Sequence, residues 1–265
     1  MKTLKLWLIP AAFYAVTCIL NLYGCLTDGP IEKYVKPALL PLLCVTTVAY
    51  LFSAYLGHRK APLKKLKNGD NASSGEPSGA ENSCDYSDAG RLVGLLVAGQ
   101  LFGYAGDTML LGKGFAFFAG GIGLFLIGHI FYISLFGGIS WKGIKPVQWA
   151  IAVVCMLAAT AGLILCIGVN GTMLVPMGVY GCTLMVLIFS GLSGVIRSKS
   201  VSVGGHATWW IIFCGAVLFA YSDSLIAVRN FGTLSPFMSG FGVMFTYLIA
   251  QTLLAIGGIR LILKK

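Results

Sequence analysis

Eight apolar runs divide this sequence, each about the ~20 residues that a helix needs to cross a bilayer core. They lie at roughly 7–26, 37–57, 92–111, 115–138, 147–168, 174–196, 207–228 and 237–262. Runs of that length and number specify an all-α polytopic membrane protein with eight transmembrane helices, read as one transmembrane domain over 1–265. Composition agrees. Only 11% of the residues are charged and 57% are hydrophobic. A soluble domain carries about 25% charged residues, and a disordered chain is poor in apolar ones. The first run has no small-residue cleavage site behind it and reads as a retained span, not a removed signal peptide.

The basic residues set a sidedness. Alternating the loops between two sides places fifteen of the nineteen Lys and Arg on one side, leaving Lys33, Lys36, Lys113 and Arg229 on the other. The richer side is cytoplasmic by the positive-inside rule, and it holds both termini. The net charge of +10 is therefore a membrane-orientation signal, and no nucleic-acid partner is expected. The expected setting is a multi-pass integral membrane protein, of the endoplasmic reticulum if the chain is eukaryotic and of the inner membrane if bacterial. Lys264-Lys265 does not match the usual dilysine retrieval spacing. The segment 58–91, dominated by Gly, Ser, Asn, Asp and Glu from Asn68 onward, reads as a disordered cytoplasmic linker between spans two and three. Asn170-Gly171-Thr172 forms a glycosylation sequon in a very short outer loop.

Nine acids are present, and seven lie outside the spans. The other two, Asp107 and Asp223, sit inside. Each costs roughly 2.5–3.5 kcal/mol at a helix centre on insertion scales. Both spans run outward, so both acids lie near the outer end. Gly99, Gly103 and Asp107 step by four, and Ala216, Ala220 and Asp223 by four and three. Each acid thus lies on a small-residue packing stripe that should face the bundle interior. The string Leu101-Phe102-Gly103-Tyr104-Ala105-Gly106-Asp107 echoes Leu218-Phe219-Ala220-Tyr221-Ser222-Asp223 with one residue deleted. That echo points to a parallel 4+4 internal repeat bringing the acids toward one cleft.

Other polar residues fall within reach: His129 with Tyr132 at i+3, Tyr180, Tyr247 with Gln251 at i+4, and Lys36 before Pro37. Seven cysteines lie in apolar runs and read as small buried hydrophobes. Trp141, Trp149, Trp209 and Trp210 read as aromatic-belt anchors. The three histidines, His58, His129 and His206, cannot readily converge, so no metal site and no cofactor are expected.

Two facing carboxyls in a low-dielectric cleft do not both ionise easily, which leaves an acid beside a base. Such a pair can protonate a substrate and activate water. Acyl transfer is disfavoured by the lack of a GxSxG elbow. An intramembrane hydrolase or lyase on a lipid-like substrate and a proton-coupled transporter both fit these residues, with a non-enzymatic lipid-binding protein as a third reading.

Several strings resemble the YhhN family of membrane proteins. They are Gly106-Asp107 followed by Gly128-His129-Ile130-Phe131-Tyr132; Leu218 to Ala227 with its Ser222-Asp223-Ser224-Leu225 core; and Thr246-Tyr247-Leu248-Ile249-Ala250-Gln251. Lys36-Pro37 and Val179-Tyr180 look like the family's second-span and sixth-span motifs. The likeness runs in order from about residue 36 to 258. It implies lysoplasmalogenase activity: hydrolysis of the vinyl ether bond of a lysoplasmalogen to a fatty aldehyde and glycerophosphoethanolamine or glycerophosphocholine. It implies Asp107 and Asp223 as the acid/base pair, with roles unassigned. Lys36, His129, Tyr132, Tyr180, Ser222, Ser224, Tyr247 and Gln251 are the candidate substrate-binding residues, Lys36 as a phosphate contact and Arg229 as a weaker one. The implied partners are the lysophospholipid and the bilayer.

Overall fold

The computed structural model describes residues 5–27, 31–67, 81–169, 171–199 and 204–264, with 57–67 and 81–87 described as backbone only. Lys2, Asp28, Asn170 of the sequon, Lys265 and the 68–80 stretch of the expected linker lie outside the described residues.

The described chain is helical, without strands. The helices are α1 (Leu8–Thr27), α2 (Ile31–Lys67), α3 (Glu81–Met109), α4 (Phe115–Ser140), α5 (Pro146–Ile167), α6 (Leu174–Ile196), α7 (His206–Phe231) and α8 (Val243–Leu263). A 3-10 turn, Gly171–Met173, precedes α6, and a π-helical turn, Met238–Gly242, leads into α8. Chain chemistry sets several of these ends. Pro146 opens α5, where its missing N–H costs nothing, and the Gln148 side chain accepts from the Lys145 amide at 3.0 Å. Gly168 closes α5 with φ 77°, a left-handed conformation that glycine adopts without strain.

Seven helices are long and apolar enough to cross a membrane. The exception among the described residues is α3, which carries Gln100, Asp107 and several glycines. Helix α2 begins at Ile31, ahead of the expected 37, so Lys36 and Pro37 fall in its second turn and do not start it. Glu32 in the first turn complements the helix dipole there. Helical backbone also enters the 58–91 segment from both sides, to Lys67 and from Glu81.

Six helices pack in a closed order. α2 lies on α3, α3 on α4, α4 on α6, α6 on α7, α7 on α8, and α8 returns to α2 and α3. α1 covers α2 and α8 from outside, and α5 covers α6. Glycines let these helices approach, as is usual where lipid supplies no hydrophobic drive between them. A Cβ on Gly99 would meet the Tyr132 ring at 2.8 Å, and one on Gly128 would meet the Gly99 carbonyl at 3.1 Å. One on Gly191 would meet the Phe213 backbone at 2.7 Å. The Gly99–Gly103–Asp107 stripe therefore does face the interior, as do Ala216, Ala220 and Asp223, all buried.

Two expectations fail for one reason: in a lipid-embedded bundle an apolar stretch does not mark the interior. Cys25 and Cys44 are buried, but Cys155, Cys166 and Cys214 face outward. Conversely, Trp209 is not a belt residue. It is fully buried against Gly194, where the end of α6 meets the first turn of α7.

Gly191→Ala should destabilise the protein by about 1–3 kcal/mol, because the added methyl meets backbone that cannot rotate away. Gly138→Ala, with nothing within 4 Å of the new methyl, should be neutral or mildly stabilising. Thermal melting of detergent-solubilised protein, read by size-exclusion homogeneity, separates the two variants.

Candidate active site

A carboxyl group inside a bundle needs donors from other helices, because lipid supplies none. Each of the two buried acids here has its own tyrosine. Asp107 on α3 accepts from the Tyr247 hydroxyl of α8 at 2.6 Å. Asp223 on α7 accepts from the Tyr180 hydroxyl of α6. Both acids and both tyrosines are buried.

Around Asp107 the pairing continues outward. Lys36 Nζ lies 3.8 Å from Asp107 Oδ1, with the lysine side chain 14% exposed. Behind Tyr247, Gln251 Nε2 donates to the Tyr247 oxygen at 3.4 Å, and the Tyr132 hydroxyl donates to Gln251 Oε1 at 2.9 Å. One chain of polar contacts thus runs from Lys36 on α2 through α3 and α8 to Tyr132 on α4. Gly103 makes room for it: a Cβ there would come within 3.3 Å of Gln251 Nε2.

Asp223 is supplied differently. Its Oδ2 takes the Tyr180 bond, while Oδ1 is buried without a hydrogen-bond partner. The acid lines a narrow cleft between α5, α6 and α7, together with Thr160, Gly181, Leu184, Ser224 and Ala227.

The two carboxyls do not hydrogen-bond to each other. Aromatic rings connect them. Tyr247 meets Phe219 at 5.5 Å between centroids, Phe219 meets His129 at 4.6 Å, and His129 meets Tyr180 at 5.7 Å. Phe125 packs edge-on to both Phe219 and Tyr247.

The residues named from the sequence therefore separate into groups. Asp107, Lys36, Tyr247, Gln251 and Tyr132 form one network, and Asp223 with Tyr180 forms the other pair. Lys36 faces a carboxylate inside the bundle, where the sequence had suggested a phosphate at the cleft mouth. His129 is fully buried between the pairs but bonds neither acid. The Phe125 carbonyl one turn earlier lies within reach of its ring but outside hydrogen-bonding geometry. The Ser222 hydroxyl donates to the Val243 carbonyl at 3.1 Å and serves the α7–α8 contact. The Ser224 hydroxyl returns to the Ala220 carbonyl at 2.7 Å. Arg229 is exposed in the last turn of α7 and lines a second cavity with Phe118, Met173 and Phe231. One of its guanidinium N–H groups donates to the Ser239 carbonyl at 3.4 Å.

Phe219, Phe125 and Thr160 were not singled out from the sequence. The Leu218-Phe219-Ala220 echo marked Phe219 only as part of a repeat. A threonine within an apolar run carries no signal of its own.

Comparison with known proteins bears on this arrangement. The mouse protein Lysoplasmalogenase TMEM86B is 30% identical over 156 residues, 58% of this chain and 59% of that protein. Its rat counterpart, of the same name, is 29% identical over 156 residues, 58% of this chain and 57% of that protein. The human Lysoplasmalogenase TMEM86A is 26% identical over 168 residues, 62% of this chain and 65% of that protein. The chain thus spans about three fifths of the length of these relatives. No solved structure matches it. A YhhN family model matches residues 82–258, a stretch that includes both acids, both of their tyrosines, His129, Tyr132 and Gln251. By that match over most of its length, this all-helical chain belongs to the YhhN family.

Proposed function

We propose that this chain is an intramembrane hydrolase that cleaves the vinyl ether bond of lysoplasmalogens, giving a fatty aldehyde and glycerophosphoethanolamine or glycerophosphocholine. The observation that carries the reading is the asymmetry of the two acids. Asp107 has Lys36 and Tyr247, while Asp223 keeps one unpartnered oxygen beside a cleft. The names of the relatives supply the substrate class.

On this reading Asp223, protonated, is the acid. It delivers its proton to the outer alkenyl carbon of the vinyl ether. The double-bond electron pair forms the new C–H bond, and the ether oxygen shares a lone pair with the adjacent carbon, leaving an oxocarbenium ion. Water adds at that carbon and returns a proton to the Asp223 carboxylate. The hemiacetal then collapses to aldehyde and alcohol, so that one water is consumed and the acid is regenerated. Asp107, with Lys36 as its counter-charge and Tyr247 fixing its orientation, balances the cationic intermediate from across the ring layer. Tyr180 holds Asp223 so that Oδ1 is the oxygen presented. Arg229, at the outer cavity, is the basic group available to the headgroup phosphate.

The same proposal includes the topology: α3 crosses the membrane as the eighth span, both termini are cytoplasmic, and the halves are parallel repeats. Helix order supports the repeat. α2 packs on α3 as α6 packs on α7, α3 on α4 as α7 on α8, and α4 meets α6 as α8 meets α2. α1 and α5 each lie outside the helix that follows them.

Three measurements test these readings. Asp223→Asn should lower aldehyde release from a 1-alkenyl lysophospholipid by ~10²–10⁴-fold, the usual yield of a positioned acid, while the protein stays monodisperse. Asp107→Asn should fall by a smaller factor. Mass spectrometry of lipid incubated with purified protein reads both, and near-wild-type turnover in Asp223→Asn would overturn the mechanism. A wild-type protein that alters no lipid but gives pH-dependent flux in proteoliposomes would favour the transporter reading. For topology, epitope tags at the two ends should be digested together, and only when protease is added from the cytoplasmic face. Protection of one tag alone would remove α3 from the membrane.

A further inference from the structure

We propose that Thr160 reads the free glycerol hydroxyl of a lysolipid whose single apolar chain lies in the groove between α5 and α6. This rests on the functional reading above and deepens it, by assigning the residue that distinguishes a lyso substrate from one substituted at the neighbouring carbon.

The hydroxyl of Thr160 is the starting point. In a helix, a threonine ordinarily returns its hydroxyl to the carbonyl four residues earlier. Thr46, Thr47, Thr183, Thr246 and Thr252 all do so, at 2.7–2.9 Å. Thr160 does not. Its residue is 4% exposed, and its Oγ1 is buried with no hydrogen-bond partner. It lines the same cleft as Asp223, whose Oδ1 is unpartnered as well. An unsatisfied buried polar atom is costly, and here two of them line one small space from two helices.

The space around Thr160 is shaped by its neighbour. A Cβ on Gly181 of α6 would come 2.9 Å from Thr160 Cγ2, so glycine at that position lets α5 close onto α6 at this level. Toward the cytoplasmic end a separate, wider apolar trough lies between the same two helices. Ala159, Met156, Cys155 and Ala152 line it from α5, and Met185 and Leu192 from α6. From Ala159 to Gln148 it extends about 16 Å at 1.5 Å per residue. That is about one leaflet of a ~30 Å hydrocarbon core. α5 packs on α6 with only a small contact to α7, and its outer face is exposed, so the trough opens sideways toward lipid.

These pieces match one ligand chemistry. A lysolipid has one chain for the trough. It has a hydroxyl one carbon from its ether-bearing carbon for Thr160, and a reactive carbon for Asp223 Oδ1. A lipid with a second acyl group replaces the hydroxyl with an ester that Thr160 has no room to seat beside Gly181.

Binding of a non-hydrolysable probe tests this apart from catalysis. The probe is a saturated 1-O-hexadecyl glycerophosphoethanolamine with a free 2-hydroxyl, compared with its 2-O-methyl ether, titrated into nanodisc-embedded protein by calorimetry. Wild type should prefer the free hydroxyl by about tenfold. Thr160→Val should bind both probes alike, and Thr160→Ser should restore the preference. Ala152→Phe, in the trough, should weaken the hexadecyl probe more than an octyl one. Equal wild-type affinities, a preference that survives in Thr160→Val, or no chain-length effect in Ala152→Phe would overturn the proposal. Discrimination without any hydrolysis of the alkenyl lipid would leave this site standing and remove the hydrolase reading alone.

Discussion

The hydrogen bonds from Tyr247 to Asp107 and from Tyr180 to Asp223 are the constraint around which the bundle is organised. An acid among apolar helices is tolerated only if another helix brings it a donor. The first joins helices remote in sequence, α3 and α8, and the second joins the consecutive helices α6 and α7. The first is the stronger tie on the fold. It joins the two halves of the chain, and Gln251 and Tyr132 extend it to α4. Close approach is what makes these bonds attainable. Gly103 leaves room for Gln251, and Gly99 leaves room for Tyr132. The glycines and the polar network therefore go together, since a side chain at Gly99 would displace the Tyr132 ring and one at Gly103 would crowd the Gln251 amide.

The two acids are chemically unequal although they share a residue type and an end of the bundle. Asp107 is ringed: a cation on one oxygen and a phenol on the other, with further polar groups behind. Asp223 is half supplied. A carboxyl with a partner at each oxygen is suited to holding a fixed charge. One with an open oxygen is suited to exchanging a proton with something that arrives. That difference follows from which helix stands opposite. α2 presents Lys36 to Asp107, whereas α5 presents Thr160 near Asp223 and leaves it unbonded.

How much of this was legible in the sequence depended on whether a residue was unusual for its surroundings. Two acids in apolar runs stand out by cost alone. Tyr247 and Gln251 at i+4, and Tyr180, could be placed beside them by helical spacing and depth. The span boundaries were legible to a few residues, except that α2 starts a turn and a half earlier. That shift carries Lys36 into the bundle, where Asp107 is its counter-ion. Thr160 was invisible, because a threonine in an apolar helix is nearly always satisfied by its own backbone. Trp209 misled for a related reason: tryptophan is frequent at membrane interfaces, and only Gly194 on the facing helix shows that this one fills the core. Outward-facing cysteines such as Cys155 could not be told from buried ones, because both faces of a membrane helix are apolar.

The direction from which Asp223 can be reached bears on the choice between hydrolysis and transport. A transporter needs a polar path along the membrane normal, open alternately to each side. Among the described residues, the polar contacts of this bundle run across it instead, from Lys36 to Tyr132, and Phe125 and Phe219 close the space between the acids. The cleft beside Asp223 and the trough below it lie under α5, the helix most loosely held to the rest. Access of that kind is lateral. It suits a molecule already dissolved in the bilayer, with its chain among the helices and its polar end level with the acid. On the proposed reading, water needs to reach only the headgroup level to complete a hydrolysis there. The architecture that makes Asp223 costly to bury is thus also the one that would confine its proton to a lipid.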